Sequence, residues 1–181
     1  MDRVLTNNEH RGIAAPSPWV ARFVPLIRRG GRVLDLAAGN GRHARHLAAL
    51  GYTVTAVDRD ISGLHDFGGE AVALDLEDGR PWALGGDWDG IVVANYLHRP
   101  LLPSIAASLA TDGMVIYETF AAGNERFGKP SNPDFLLRPG ELLAAFSQLH
   151  VVAFEEGEVK EPRRAVVQRI AATRGALRQI P

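Results

Sequence analysis

The sequence predicts an α/β protein built on a Rossmann-like, doubly wound, mostly parallel sheet of about seven strands with an antiparallel terminal strand. Three observations carry that prediction. Apolar runs centred on Val33, Val54, Val72, Ile91 and Met114 recur at intervals of 21, 18, 19 and 23 residues, each with room for one strand and one crossover, usually helical. Most of these runs are continuously apolar rather than alternating, as expected of parallel strands covered on both faces. Small residues at Ala37, Gly39 and Gly41 follow the first run, where a helix begins.

The elements follow in order. Ser17 and Pro18 read as N-cap and first residue of a helix bearing Trp19, Val20 and Phe23, which Pro25 kinks or ends. Residues 1–31 thus form a helical cap ahead of a core over 32–181, in one domain. The first strand, Arg32-Val33-Leu34, leads into a helix over 42–50 with Ala44, Leu47 and Ala48 on one face and Gly51 closing it. Strands over 53–57, 71–74 and 91–94 come next, with Trp82 and Trp88 as hydrophobic anchors between the last two. A helix over 101–109 and a turn at Thr111-Asp112-Gly113 lead to the strand 114–117. Residues 121–138 hold Gly123, Gly128, Pro130 and Pro133 and read as a long loop, whose length favours a lid or binding loop. Pro139 opens a helix with Leu142, Leu143 and Phe146. Two strands, 151–154 and 165–172, close the chain across the polar stretch 155–164.

Composition narrows the function classes. The chain has 181 residues, no cysteine, and 20 basic against 21 acidic side chains. Disulfides, thiolate nucleophiles and cysteine-ligated metals are excluded. The near-neutral balance gives no general attraction to nucleic acid or anionic lipid. No apolar run reaches the ~18 residues of a membrane span, and residues 1–11 lack the apolar core of a secretory signal. A cytoplasmic protein acting on a small molecule is the expectation. Residues 160–181 carry six basic groups against Glu161; without aromatic residues for base stacking they read as the solvated face of the terminal strands.

The chemistry gathers where the runs end. Ala37, Gly39 and Gly41 let a ligand approach the backbone, and the helix start beyond them offers unpaired N–H groups. Asp58, 19 residues after Gly39, ends the second run with two acceptor oxygens suited to the hydroxyl pair of a ribose. Asp75-Leu76 and Asn95-Tyr96-Leu97-His98 end the third and fourth. Open α/β sheets bind ligands outside these carboxyl ends, at the topological switch point.

The run Val33 to Asp58, with Asp35, Ala37, Gly39 and Gly41 as its acid and small-residue positions, resembles the nucleotide-binding half of class I S-adenosylmethionine-dependent methyltransferases. Ala37 departs from the pattern, since glycine is commoner there. The motif likeness covers 33–117. Residues 117–120 and 138–141 are similar to small bacterial methyltransferases of the tellurite-resistance type. The resemblance implies S-adenosylmethionine as cofactor and a binding set of Asp35, Ala37, Gly39, Asn40, Gly41, Asp58, Arg59, Asp75, Leu76 and Asn95. Asp58 would hold the ribose, Asp75 and the Leu76 amide the adenine edge, Asp35 the cationic methionine end, and Asn95 the pocket floor.

Other readings stay open beside this one. Gly39, Gly41 and Ala44 also satisfy the dinucleotide fingerprint, although Asp35 would then sit near a diphosphate. A non-catalytic cofactor-binding protein shares every motif. Asn95 equally suits a turn cap. His98 is placed either for proton transfer or as a loop residue satisfied by hydrogen bonds. Glu118 is either a general base or the partner of a loop arginine such as Arg126. Phe120, Phe127 and Phe135 either shape an acceptor pocket between the N-terminal helix and the 121–138 loop or hold that loop down. His43 and His46 read as helix surface and rim, and no metal site is expected.

Overall fold

A computed structural model describes residues 14–181; the first 13 residues of the predicted cap lie outside them. Seven strands form one sheet in the order β3-β2-β1-β4-β5-β7-β6. They are β1 (Arg32–Leu36), β2 (Thr53–Asp58), β3 (Glu70–Ala73), β4 (Trp88–Ala94), β5 (Leu109–Phe120), β6 (His150–Val159) and β7 (Ala165–Thr173). The pairings among β1 to β5 are parallel, and β7 runs antiparallel between β5 and β6. The order reverses between β1 and β4, so a crevice opens at their carboxyl ends.

Why the runs are apolar throughout is visible in the packing. Val33, Val92, Met114, Ile116 and Ala171 face one core layer, with Trp19, Val20 and Phe23 of α1 (Pro18–Phe23) and Ala44 and Leu47 of α2 (Arg42–Ala49). Their neighbours Leu34, Ile91, Val93, Val115, Tyr117 and Ile170 face the other. There they meet Ile105 of α3 (Leu102–Ala107) and Leu142 of α4 (Glu141–Ala145). Both faces of each central strand are dry.

Local chemistry sets the element ends. The Ser17 hydroxyl accepts the Trp19 N–H at 3.1 Å, Pro18 occupies the first turn, and α1 stops at Phe23 before a 3-10 turn holding Pro25. Gly51, at φ +86°, closes α2.

Four expectations need correction. No helix fills the β2–β3 and β3–β4 crossovers (59–69 and 74–87), where Gly63, Gly68, Gly69, Gly79, Pro81, Gly85 and Gly86 interrupt any helical run. The helix predicted over 101–109 spans only 102–107. β5 begins at Leu109 and runs through Thr111-Asp112-Gly113, with a register shift opposite Trp88/Gly90 instead of the predicted turn. The segment 121–138 is strapped down rather than poised as a lid. Arg99 donates to the carbonyls of Asp134 and Leu136 at 2.7 and 2.8 Å and pairs with Glu141 at 2.7 Å. Buried Asn124 donates to the Pro130 carbonyl and accepts the Val166 N–H. Long-range polar bonds of this kind leave no trace in local composition.

Candidate active site

Three cavities lie end to end along the carboxyl edge of the sheet. The first, about 330 Å³, is walled by Ala37, Asp58, Arg59, Asp75, Leu76 and Tyr96. The second, about 590 Å³, lies over Ala37, Gly39, Asn40, His43 and Asn95. The third, about 440 Å³, holds Glu118, Phe120, Arg163, Val167 and Arg169. Ala37 is common to the first and second; Ala14, Arg42 and Asn95 are common to the second and third. Neighbouring cavities thus adjoin along this edge, sharing these residues as walls of one trough.

Its floor is backbone held in an unusual conformation. Ala37 and Asn95, at both junctions, have φ of +54° and +57°, a region where an L side chain costs roughly 1–2 kcal/mol. The glycine expected at position 37 by family resemblance is thus the residue this backbone prefers. Gly39 lies at φ +54° with open space where a Cβ would project. At Gly41 (φ +77°) a Cβ would stand 2.5 Å from the Leu64 side chain, so glycine is required twice over. Asp58 locks this loop to the end of β2. One carboxylate oxygen accepts the Gly39 N–H at 2.8 Å and the other the Asp60 N–H at 3.1 Å. Both oxygens retain further lone pairs for a ligand.

Two titratable groups lie under the loop. Asp35 is 1% exposed, and its Oδ2 has no hydrogen-bond partner. Burial pushes its carboxyl up to about 7 against the pull of the Ala44 N–H and of Arg42. It lies beneath the trough rather than among the lining residues. His43 is buried, not on the helix surface as its sequence position suggested. Its Nε2 accepts the Ser17 N–H at 3.2 Å, and burial, reinforced by Arg42 and His46, drives it down to about 3. The neutral ring ties α2 to the segment ahead of α1.

The structure also brings in residues the sequence reading passed over. Tyr96 lines the first cavity, its phenol oxygen buried and without a hydrogen-bond partner among the described residues. Burial, and Glu77 beside it, raise that phenol. Its position beside Asn95 in the rim string was the available signal. Arg42 opens α2, where the helix dipole disfavours a cation; that misplaced charge was a usable clue. Arg169, assigned to a solvated face, is instead largely covered. Its Nε lies 3.1 Å from Glu118 Oε2, with Glu155 at 3.4 Å. The partner of Glu118 is therefore Arg169 on β7, while Arg126 pairs with Glu158. Pairing across strands far apart in the chain explains why sequence proximity misled.

His98 precedes the 3-10 turn Arg99–Leu101 with its carbonyl accepting the Leu101 N–H, and is not among the residues lining the trough. Of the three phenylalanines, Phe120 lines the third cavity, Phe127 packs on the core, and Phe135 is exposed. The third cavity is closed by the segment before α1 and by the β6–β7 turn, not by the 121–138 loop.

Residues 8–138 match the model of a methyltransferase-domain family. No curated protein shows significant similarity to the chain. Among solved structures, TehB from Haemophilus influenzae superposes with a TM-score of 0.68 at 20% identity, over 86% of this chain and 60% of that one. This chain therefore spans 60% of the length of the TehB chain. A TehB-like SAM-dependent methyltransferase from Corynebacterium glutamicum gives 0.58 at 21% identity, over 86% of both chains. A 1,6-didemethyltoxoflavin-N1-methyltransferase from Burkholderia thailandensis, solved with 1,6-didemethyltoxoflavin and S-adenosylhomocysteine bound, gives 0.60 at 20% identity, over 87% of this chain and 76% of that one. With 131 of its 181 residues inside the matched model, the chain belongs to the methyltransferase-domain family.

Proposed function

We propose that the protein transfers a methyl group from S-adenosylmethionine to a small-molecule acceptor, with the donor in the first two cavities and the acceptor in the third. The single observation that carries this reading is that the cavities adjoin. Arg42 and Asn95 border both the loop-lined chamber and the third cavity, which puts ligands in the two cavities side by side at those residues. One solved neighbour of this fold holds 1,6-didemethyltoxoflavin together with S-adenosylhomocysteine, which supports a site for two ligands.

The residues fit the donor. Asp58 and Asp75 supply acceptors for hydroxyl and amino groups, and the Tyr96 phenol, lacking a partner, gains one in an adenosine. The Asp35 carboxyl places an acid under the chamber where a positively charged group would rest. S-adenosylmethionine, when bound, supplies a methyl carbon on a cationic sulfur that departs as a neutral thioether by in-line displacement. The protein's part is then alignment and exclusion of water. Asn95, fixed at positive φ between the chambers, orients the junction, and the 14–18 segment roofs it through the Ser17–His43 bond. Glu118, held by Arg169, is the acidic side chain of β5 facing the acceptor cavity and the group placed to take a proton when the acceptor must lose one.

Incubation with S-adenosylmethionine and a panel of small nucleophiles, read as S-adenosylhomocysteine formed, tests the reading. Turnover on at least one acceptor, lost in Asp58→Ala, is the expected result. Tight cofactor binding with no turnover on any member would favour the non-catalytic binding protein.

A further inference from the structure

We infer that the acceptor is an apolar organic anion, a hydrophobic body carrying one carboxylate or similar group. The inference rests on the proposed division of the trough and concerns the third cavity.

Its walls are two kinds of surface. Phe120, Val159, Ala165, Val167 and Pro162 make an apolar floor and side, contributed by β5, β6, β7 and the turn between the last two. Burial of a ligand's hydrocarbon surface against them supplies affinity without selecting charge. The charged groups do the selecting, and they divide by commitment. Arg169 is taken up by Glu118 within the lining and by Glu155 outside it, so the Glu118–Arg169 pair adds no net charge to the cavity wall. Arg163 lies over the Phe120 ring at 5.0 Å and donates only a long 3.3 Å bond to the Lys129 carbonyl. Arg42 is half-buried and makes no hydrogen bond or ion pair among the described residues. The remaining acid, Glu161, is exposed at the turn. Arg42 and the exposed Arg163, neither with a carboxylate partner among the described residues, thus stand against the exposed Glu161, leaving the lining one positive charge in excess. A half-buried cation without a partner is costly to hold, and a ligand anion relieves that cost through the two-pronged bonds guanidinium makes with carboxylates. A cationic acceptor would meet like charge, and a neutral one would leave the arginines unmatched.

The test uses the full chain saturated with S-adenosylhomocysteine. Cinnamate, its neutral isostere cinnamamide and the cation benzylamine are titrated calorimetrically into the wild type, Arg163→Gln and Val167→Trp. Arg163 is the discriminating arginine because Arg42 also faces the donor chamber. Cinnamate should bind at least about tenfold tighter than cinnamamide, with benzylamine weaker still. Arg163→Gln should erase most of that preference, and Val167→Trp should abolish binding of all three by filling the cavity. S-adenosylhomocysteine affinity should be unchanged throughout. Equal affinity for cinnamate and cinnamamide, preference for benzylamine, or no binding of any probe to the wild type overturns the inference. Those comparisons need no variant to fold. Failure of S-adenosylhomocysteine itself to bind would instead overturn the donor assignment.

Discussion

The two ends of the trough are made of different materials. The proposed donor end is backbone: a loop of small residues over β1, locked by one carboxylate at the end of β2. The acceptor end is side chains: Glu118 from β5, Arg169 from β7 and Arg163 from a turn, with Arg42 reaching in from α2. A backbone cradle tolerates few residue types, because φ near +55° favours glycine and admits Ala37 only at a cost, and close packing against Leu64 bars a Cβ at Gly41. A side-chain chamber can be rebuilt at each position without disturbing the sheet. The contrast teaches that the donor end constrains sequence while the acceptor end is free to vary with substrate.

That contrast can be broken or sharpened by mutation, beginning with the largest effect. Asp58→Ala removes both the ligand acceptor and the anchor of Gly39, and should weaken S-adenosylhomocysteine by ~100-fold, about 2.7 kcal/mol, by titration calorimetry. Glu118→Ala leaves the largely covered Arg169 with only the half-exposed Glu155 as partner. It should lower unfolding free energy in urea by about 2 kcal/mol while leaving donor affinity within about twofold. If it weakens the donor as much as Asp58→Ala does, the two ends are not separable.

The pair under the loop should respond to pH in opposite senses. His43 has a lowered folded value, about 3 against 6.5, so its contribution is present above 6.5 and is lost as pH falls toward 3. Asp35 has a raised one, about 7 against 3.8. Its contribution is full below 3.8 and is lost as pH rises through 7. Asp35→Asn should therefore gain on the wild type by roughly 1–2 kcal/mol at pH 8 and gain nothing at pH 4, followed by melting temperature. The same variant should bind the cationic donor less tightly than the wild type does.

Smaller effects complete the series. Tyr96→Phe should cost the donor about five- to tenfold in affinity, roughly 1 kcal/mol, without lowering stability, because the phenol has no intramolecular partner. Ala37→Gly should relieve the φ +54° strain and stabilise the fold by at most about 1 kcal/mol, the gain in the folded state being offset by entropy in the unfolded chain.

How much was legible in advance follows the same division. The strands were readable because burial on both faces writes a continuous apolar run, and the donor loop because its conformation admits only small residues. Asp58 was readable because it ends a strand at a fixed distance from that loop. Not readable was anything set by contacts between distant segments. The Arg99 straps fix 121–138 in place, the Ser17 bond buries His43, and Glu118 is matched to a residue on β7. Thr111 to Gly113 likewise carry a turn composition but stay in β5, because pairing with β4 through a register shift overrides local preference.

The most direct test of the central claim is a calorimetric titration of S-adenosylhomocysteine into the wild-type protein and Asp58→Ala, with NAD as the control ligand. The account predicts one site per chain in the wild type, loss of ~100-fold in affinity in the variant, and no heat from NAD. Binding of NAD in its place, or S-adenosylhomocysteine affinity indifferent to Asp58, would contradict it.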